Sequence, residues 1–262
     1  VFCRVWVWRM MLPVDDRPSF LTLLAHDLLG LFYNNFLPGG VGGDVVRTGA
    51  LVQGGQRIEQ AANSVLMARL LGLWSIVLLA CVTTPLYAWV IGWQTAFPLM
   101  VTVLSAFIIA VLGTAILFGA PMTILVNHLP ARWSTWHRQL RAYREKRSLL
   151  IAALGLSFLI QILAVTTNTL VARALGLSIS FPALLLSIPL VNLVVLLPIS
   201  IGGFGVREGV YYYLLEFFGA TAGEAVLLSL TVYFVMALVS AVGAAVTQIW
   251  VPKRVEEESC AS

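Results

Sequence analysis

The chain has 262 residues, 60% hydrophobic and only 11% charged, with net charge +4 and mean hydropathy +0.92. Soluble domains carry about 25% charged residues, so this composition excludes a soluble globular enzyme and indicates an all-α, polytopic integral membrane protein. The apolar runs are continuous rather than alternating, which also excludes a β-barrel.

In chain order, Val1–Leu12 reads as the tail of an apolar segment carrying Arg4 and Arg9. A start without methionine points to an N-terminal truncation of one or two earlier helices, within a single transmembrane domain over 1–262. From about Phe20 to Leu51 an apolar region is broken at Pro38–Gly43. Spans are predicted over Gln60–Val82 and Phe97–Leu117, each long enough for the roughly 20 residues a bilayer requires. Between them, Tyr87–Trp93 is too short to cross and rich in interfacial aromatics. The basic loop 120–148 follows, then a span over Leu149–Ala172 with a polar stripe at Gln161, Thr166, Thr167, Asn168 and Thr169. That stripe suits either helix–helix hydrogen bonding or the lining of a pathway. A second broken region runs from Pro182 to Phe218, interrupted at Pro198–Gly203, and a long span covers Thr221–Trp250. Cys3, Cys81 and Cys260 have neither metal nor disulfide spacing.

The two breaks repeat each other. Leu37-Pro38-Gly39-Gly40-Val41-Gly42-Gly43-Asp44-Val45-Val46-Arg47-Thr48-Gly49 returns 160 positions later as Leu197-Pro198-Ile199-Ser200-Ile201-Gly202-Gly203-Phe204-Gly205-Val206-Arg207-Glu208-Gly209, with seven of thirteen positions identical. Allowing five extra residues in the second copy, Glu59 aligns with Glu224, Ser64 with Ser229 and Ser75 with Ser240. Repeat 1 covers about 19–83 and repeat 2 about 180–250. Each half of a broken region is about 15 residues, which predicts two broken, re-entrant helical hairpins.

Lys and Arg concentrate in cytoplasmic loops, and loop 120–148 holds Arg132, Arg138, Arg141, Arg144, Lys146 and Arg147. Placing it inside puts the C-terminal Lys253-Arg254 inside as well. Three crossings then separate the two copies, an odd number, so the hairpins are expected to be inverted as in many secondary transporters. Trp133, Trp136, Leu140 and Tyr143 recur at helical spacing in the loop and predict a surface-lying amphipathic helix.

Proline ends each first half-helix, and the Gly42-Gly43 and Gly202-Gly203 pairs allow unusual backbone angles and close approach. A new half-helix is expected near Asp44 or Phe204, with free amides and its positive dipole end directed into the membrane. Arg47 and Arg207 fall in about its first turn. Amides plus a guanidinium suit phosphate or carboxylate. On another reading, the glycines serve tight helix crossing and the arginines snorkel or pair with Asp44 and Glu208; Asp44 could also act as an N-cap. Arg69, deep in a span, is expected to pair with Asp27 or to join Arg47 at an anion site. His26-Asp27 could form a proton relay, although an ion-paired role suits Asp27 better. Arg173, Glu216 and Glu224 are expected at the outer surface. No paired carboxylates, metal-spaced histidines or Gly-x-Ser-x-Gly elbow occur, so no catalytic residue, metal or cofactor is expected. The loop charge suits anionic lipid rather than nucleic acid.

Over nearly its whole length the chain resembles the flippase-like family that includes the transmembrane region of lysylphosphatidylglycerol synthase. The resemblance rests on Asn34 to Arg47, on Ser64 to Gly72 containing Arg69, and on Leu197 to Glu208. It implies a multi-pass protein of a prokaryotic plasma membrane that moves a lipid between leaflets. In the synthase this region accompanies a soluble aminoacyl-transferase domain, and nothing after Val251 here resembles one. The expected activity is therefore flippase-like transport of an anionic, phosphate-bearing lipid. The headgroup would be held by Arg47, Arg207 and Arg69, beside Gly42, Gly43, Gly202, Gly203, Asp44 and Glu208 and the breaks at Pro38 and Pro198. The alternatives are a membrane-embedded transferase, or its membrane subunit, acting on a lipid-linked substrate, and a secondary transporter of small anions. Oligomerisation is compatible with all three.

Overall fold

Among the described residues of the computed structural model, four helices are long and apolar enough to cross a membrane, with candidate spans Ile58–Leu86, Ala96–Phe118, Arg147–Ala174 and Ala222–Thr247. They match the four spans expected from length and hydropathy. The structure describes residues 1–14, 17–36, 41–119, 137, 139–195, 200 and 203–260, and among these there is helix and no strand. Pro38, Pro198 and Gly202, and Arg132, Trp133, Trp136 and Arg138 of the basic loop, lie outside the described residues.

The helices are α1 (Phe2–Met11), α2 (Phe20–Asn34), α3 (Val41–Gln53), α4 (Ile58–Ile91), α5 (Trp93–Phe118), α6 (Arg147–Ala174), α7 (Phe181–Val195), α8 (Val206–Glu216) and α9 (Ala222–Cys260). Both broken regions form helix pairs, α2/α3 and α7/α8. At 1.5 Å per residue these four helices are roughly 16–22 Å long, less than the ~30 Å hydrocarbon core.

α2 and α3 run antiparallel and very close. A Cβ on Gly43 would lie 2.7 Å from the Asn34 side chain and would collide with the Gly30 carbonyl; one on Gly30 would lie 2.9 Å from the Gly43 carbonyl. Glycine at both positions is what permits this approach. α2 packs on α3 and on α9, while α7 packs on α8 and on α4; α3 packs on α4, and α8 on α9. Exchanging α2 with α7, α3 with α8 and α4 with α9 leaves this set of contacts unchanged. The aligned serines are all buried too: Ser64 and Ser229 on one pair of equivalent positions, Ser75 and Ser240 on the other.

Several boundaries differ from expectation. α4 does not stop near Val82: it continues through Pro85 to Ile91, so Tyr87–Ile91 is its final turn, and Gly92, at φ 86°, breaks the chain into α5. Trp89 and Trp93 project outward there, 85% and 62% exposed. α3 begins at Val41, earlier than expected, so Asp44 lies inside the first turn; α8 begins at Val206. Residues 139–142 are helical and run into a 3-10 turn, Tyr143–Glu145. Leu140 and Tyr143 face protein, not the bilayer surface: Leu140 is fully buried against α1, α4 and α6, and the Tyr143 hydroxyl donates to the Met11 carbonyl at 2.5 Å. Burial pushes the Tyr143 phenol up to about 12, so it remains a donor at neutral pH. These two members of the apolar stripe expected to enter lipid dock on neighbouring helices, which bury apolar surface equally well.

Candidate functional site

Five charged side chains around the first helix pair form one chain. Asp27 on α2 is almost wholly buried and accepts from Arg4 Nε at 3.1 Å and Arg4 Nη2 at 2.9 Å. Its other oxygen lies 2.9 Å from Arg47 Nη2 on α3. Arg47 Nη1 donates to Asp44 Oδ1 at 3.2 Å, and Asp44 Oδ2 accepts from Arg69 on α4. The order is Arg4–Asp27–Arg47–Asp44–Arg69, three positive charges alternating with two negative. Four helices are tied together, and the chain carries one positive charge more than it neutralises internally. The ends are the most open members: side-chain exposure is 36% for Arg4 and 28% for Arg69, against 12% for Arg47. Arg47 Nε, packed against Gly30, has no hydrogen-bond acceptor among the described residues.

Of the two placements expected for Arg69, pairing with Asp27 is not seen: Arg69 pairs with Asp44, which Arg47 also engages. Asp27 takes the ion-paired role that suited it better than a relay with His26, its partners being Arg4 and Arg47. Geometry decides it: the N-terminal turn of α3 faces α4, whereas Asp27 looks back toward α1. Asp44 is not an N-cap, since both its oxygens are engaged by arginines. Arg47 sits in the second turn of α3, not the first.

The helix N-termini are less open than expected. The Gly43 amide donates to Asn34 Oδ1 at 2.6 Å, and the Gly205 amide to Glu208 Oε2 at 2.6 Å. Glu208 thus caps its own helix and also accepts from Ser229 at 3.2 Å. Gly203 and Gly205, at φ 83° and 78°, supply the left-handed turn that admits this cap. Arg207, in the first turn of α8, lies over the Tyr233 ring at 4.9 Å, and Phe204 meets the same ring edge-on at 4.5 Å.

Both helix pairs meet α9. Asn35 donates to Ser240 at 3.0 Å, while Phe204 and Arg207 meet Tyr233. Seven residues of helix separate Tyr233 from Ser240, a rise of about 10 Å. Sequence reasoning missed Arg4, Asn34, Ser229 and Tyr233 as members of these sites; the visible signal was an excess of arginine over acid in the apolar N-terminal half.

In the polar stripe of α6, Gln161 donates to Ser75 at 3.3 Å and Asn168 accepts from Tyr211 at 2.6 Å. These are helix–helix hydrogen bonds. Arg173 and Glu216 are exposed and Glu224 half-buried.

Residues 1–243 match the family described as lysylphosphatidylglycerol synthase TM region. The chain belongs to that family. Membership connects this membrane protein with lipid modification or transport. No curated protein and no solved structure matches significantly. Relative to the family resemblance drawn from Asn34–Arg47 and Ser64–Gly72, the new element is that these two stretches meet physically, through Asp44 and Arg69.

Proposed function

We propose that this member of the lysylphosphatidylglycerol synthase TM-region family moves an anionic, phosphate-bearing lipid between the leaflets of a prokaryotic plasma membrane. The observation that carries the reading is the Arg4–Asp27–Arg47–Asp44–Arg69 chain, which gathers three guanidinium groups around two carboxylates between four helices. Charge inside a bundle of apolar helices is costly, and a bound monoanion offsets it. A phosphodiester is such an anion, and guanidinium groups recognise it with directed N–H donors. Arg69, the end of the chain beside α3, at 28% side-chain exposure, meets the headgroup, with Arg207 acting from the second helix pair. The acyl chains remain in lipid. The exchange symmetry of the helix contacts supports two repeats, and the short paired helices are compatible with re-entrant hairpins entering from opposite faces. The basic segment around Arg141–Arg147 lies on the cytoplasmic side in this reading.

The test is translocation of fluorescent phosphatidylglycerol in reconstituted vesicles, followed by chemical quenching of the outer leaflet. Arg69→Gln combined with Arg207→Gln is expected to slow translocation about tenfold or more, since a hydrogen bond to a charged group contributes roughly 1.5–3 kcal/mol. An unchanged rate in a folded double variant refutes the reading. Flux of a small soluble anion without lipid movement, or product formed from a lipid-linked donor, would assign the site to a different activity.

A further inference from the structure

A groove of about 600 Å³ opens on the far side of α4 from the charge chain. Its floor is Met67, Leu70, Leu71 and Trp74, which repeat at i, i+3, i+4 and i+7 and so share one face of α4; Arg69 falls on the opposite face. One wall is α5, through Val111, Thr114, Ala115 and Phe118, and the other is α6 at Leu150. The groove exists because α5 leans mainly on α4 and not on α6. Thr114 satisfies its hydroxyl on the Ala110 carbonyl at 2.8 Å, leaving its methyl as wall.

At one end the lining turns polar. Arg144 is exposed there, and its Nη1 donates to the Phe118 carbonyl at 3.4 Å, which keeps the guanidinium at the mouth. Arg141, Lys146 and Arg147 are exposed on the same segment, with Glu145 the single acid among them. An apolar trough in the span of a membrane protein, ending in a guanidinium within a basic cluster at the end of a span, matches an amphiphile with an acyl chain and a negative headgroup. We infer that this groove binds an anionic phospholipid from the leaflet next to the basic segment, at a site separate from the hairpin arginines. The chain lies along α4 and α5, and the phosphate meets Arg144.

Trp74 in the floor reports occupancy. The full chain is reconstituted into vesicles containing brominated phosphatidylglycerol or brominated phosphatidylcholine, and the Trp74 signal is taken as the difference from Trp74→Phe. The expected result is about fivefold more effective quenching by the anionic lipid, the factor for about 1 kcal/mol per basic residue near a membrane surface. Arg144→Ala is expected to abolish the preference, and Ala115→Phe, which fills the groove, to abolish quenching by both lipids. Equal quenching by the two lipids in the unmodified chain overturns the inference, because the groove then holds ordinary boundary lipid. Absence of quenching by either overturns it as well, since the groove is then closed or covered by the chain itself. The readout is binding and is independent of whether lipid is translocated.

Discussion

Asp27 is the side chain whose removal most sharply tests the charge chain. It is 2% exposed and holds two arginines, Arg4 at 36% and Arg47 at 12% side-chain exposure. Replacing it by Asn keeps the shape and removes the charge. The Arg4 pair is more than a third exposed and contributes at most about 1 kcal/mol. The Arg47 pair is buried, and breaking such a pair by removing one partner costs about 3–5 kcal/mol. For a chain of this size roughly 2 °C of melting temperature corresponds to each kcal/mol, so Asp27→Asn is expected to melt roughly 6–10 °C lower in detergent. Arg47→Met is expected to lose less, because Asp27 keeps Arg4 and Asp44 keeps Arg69. In the double variant the buried Arg47 no longer needs a counter-ion. The double variant should therefore melt no lower than Asp27→Asn alone, a coupling of roughly 2–3 kcal/mol. Thermal denaturation of all four proteins, followed by tryptophan fluorescence in one detergent, measures it. If the two single losses simply add within about 0.5 kcal/mol, the buried pair is not coupled and the electrostatic argument for the site fails.

Gly43→Ala forces α2 and α3 apart at Gly30 and Asn34 and is expected to destabilise by about 1–3 kcal/mol or more, whereas Gly49→Ala and Gly209→Ala, with nothing within 4 Å of a new Cβ, should be neutral or stabilising by up to about 1 kcal/mol. The same melting assay distinguishes them. Tyr211→Phe leaves Asn168 Oδ1, 2.6 Å from the lost hydroxyl, without that donor between α6 and α8, and about 1–3 kcal/mol should be lost; restoration by Asn168→Leu in the same background would show that the unpaired amide was responsible. In a background with the native cysteines replaced, Arg57→Cys and Glu145→Cys, both exposed, should react with an impermeant thiol reagent from one face of the membrane and Ser178→Cys from the other, because α4 and α5 lie between the first two and α6 alone before the third.

The spans were legible because length and hydropathy act locally: twenty apolar residues have few other places to go. The two interruptions were legible because each falls within an apolar run that is divided into two short helices, although proline alone does not decide such a break: Pro85, Pro98 and Pro189 stay inside helices. Charge pairing was not. Asp44 and Arg47 are one turn apart and could be associated by spacing, but Arg4 and Asp27 are 23 residues apart and Asp44 and Arg69 are 25 apart. Nothing local chooses between Asp27 and Asp44 as the partner of Arg69; the angle at which α3 crosses α4 does. Capping was misjudged for a related reason. An open helix N-terminus was expected at each hairpin, yet Asn34 on the neighbouring helix reaches the Gly43 amide and Glu208 folds back to the Gly205 amide. A buried amide takes any acceptor within reach, and the acceptors on α2 come into range only once Gly30 and Gly43 let the two helices touch.

The same contacts explain why the two repeated arginines behave differently. Shifted by 160 positions, Gly30 corresponds to Leu190 and Asp27 to Ser187. In the first hairpin the glycine leaves room for the Arg47 stem to cross onto α2, where Asp27 receives its guanidinium. In the second, a buried leucine stands in place of the glycine and the serine brings no charge; Ser187 donates to its own helix, at the Ala183 carbonyl. Arg207 turns instead against Gly203 and over the Tyr233 ring on α9. A ring face attracts a guanidinium by its quadrupole, more weakly than a buried carboxylate and without neutralising it. The first arginine is thus fixed inside a salt-bridged frame joining α1 to α4, and its removal is chiefly a matter of stability. The second lies over an aromatic ring rather than in a carboxylate pair with the helix before it. Arg47→Gln should therefore show its main effect in melting temperature, and Arg207→Gln in lipid translocation at nearly unchanged melting temperature; the opposite assignment would mean that the aromatic cradle, and not the carboxylate pair, is what holds the fold together.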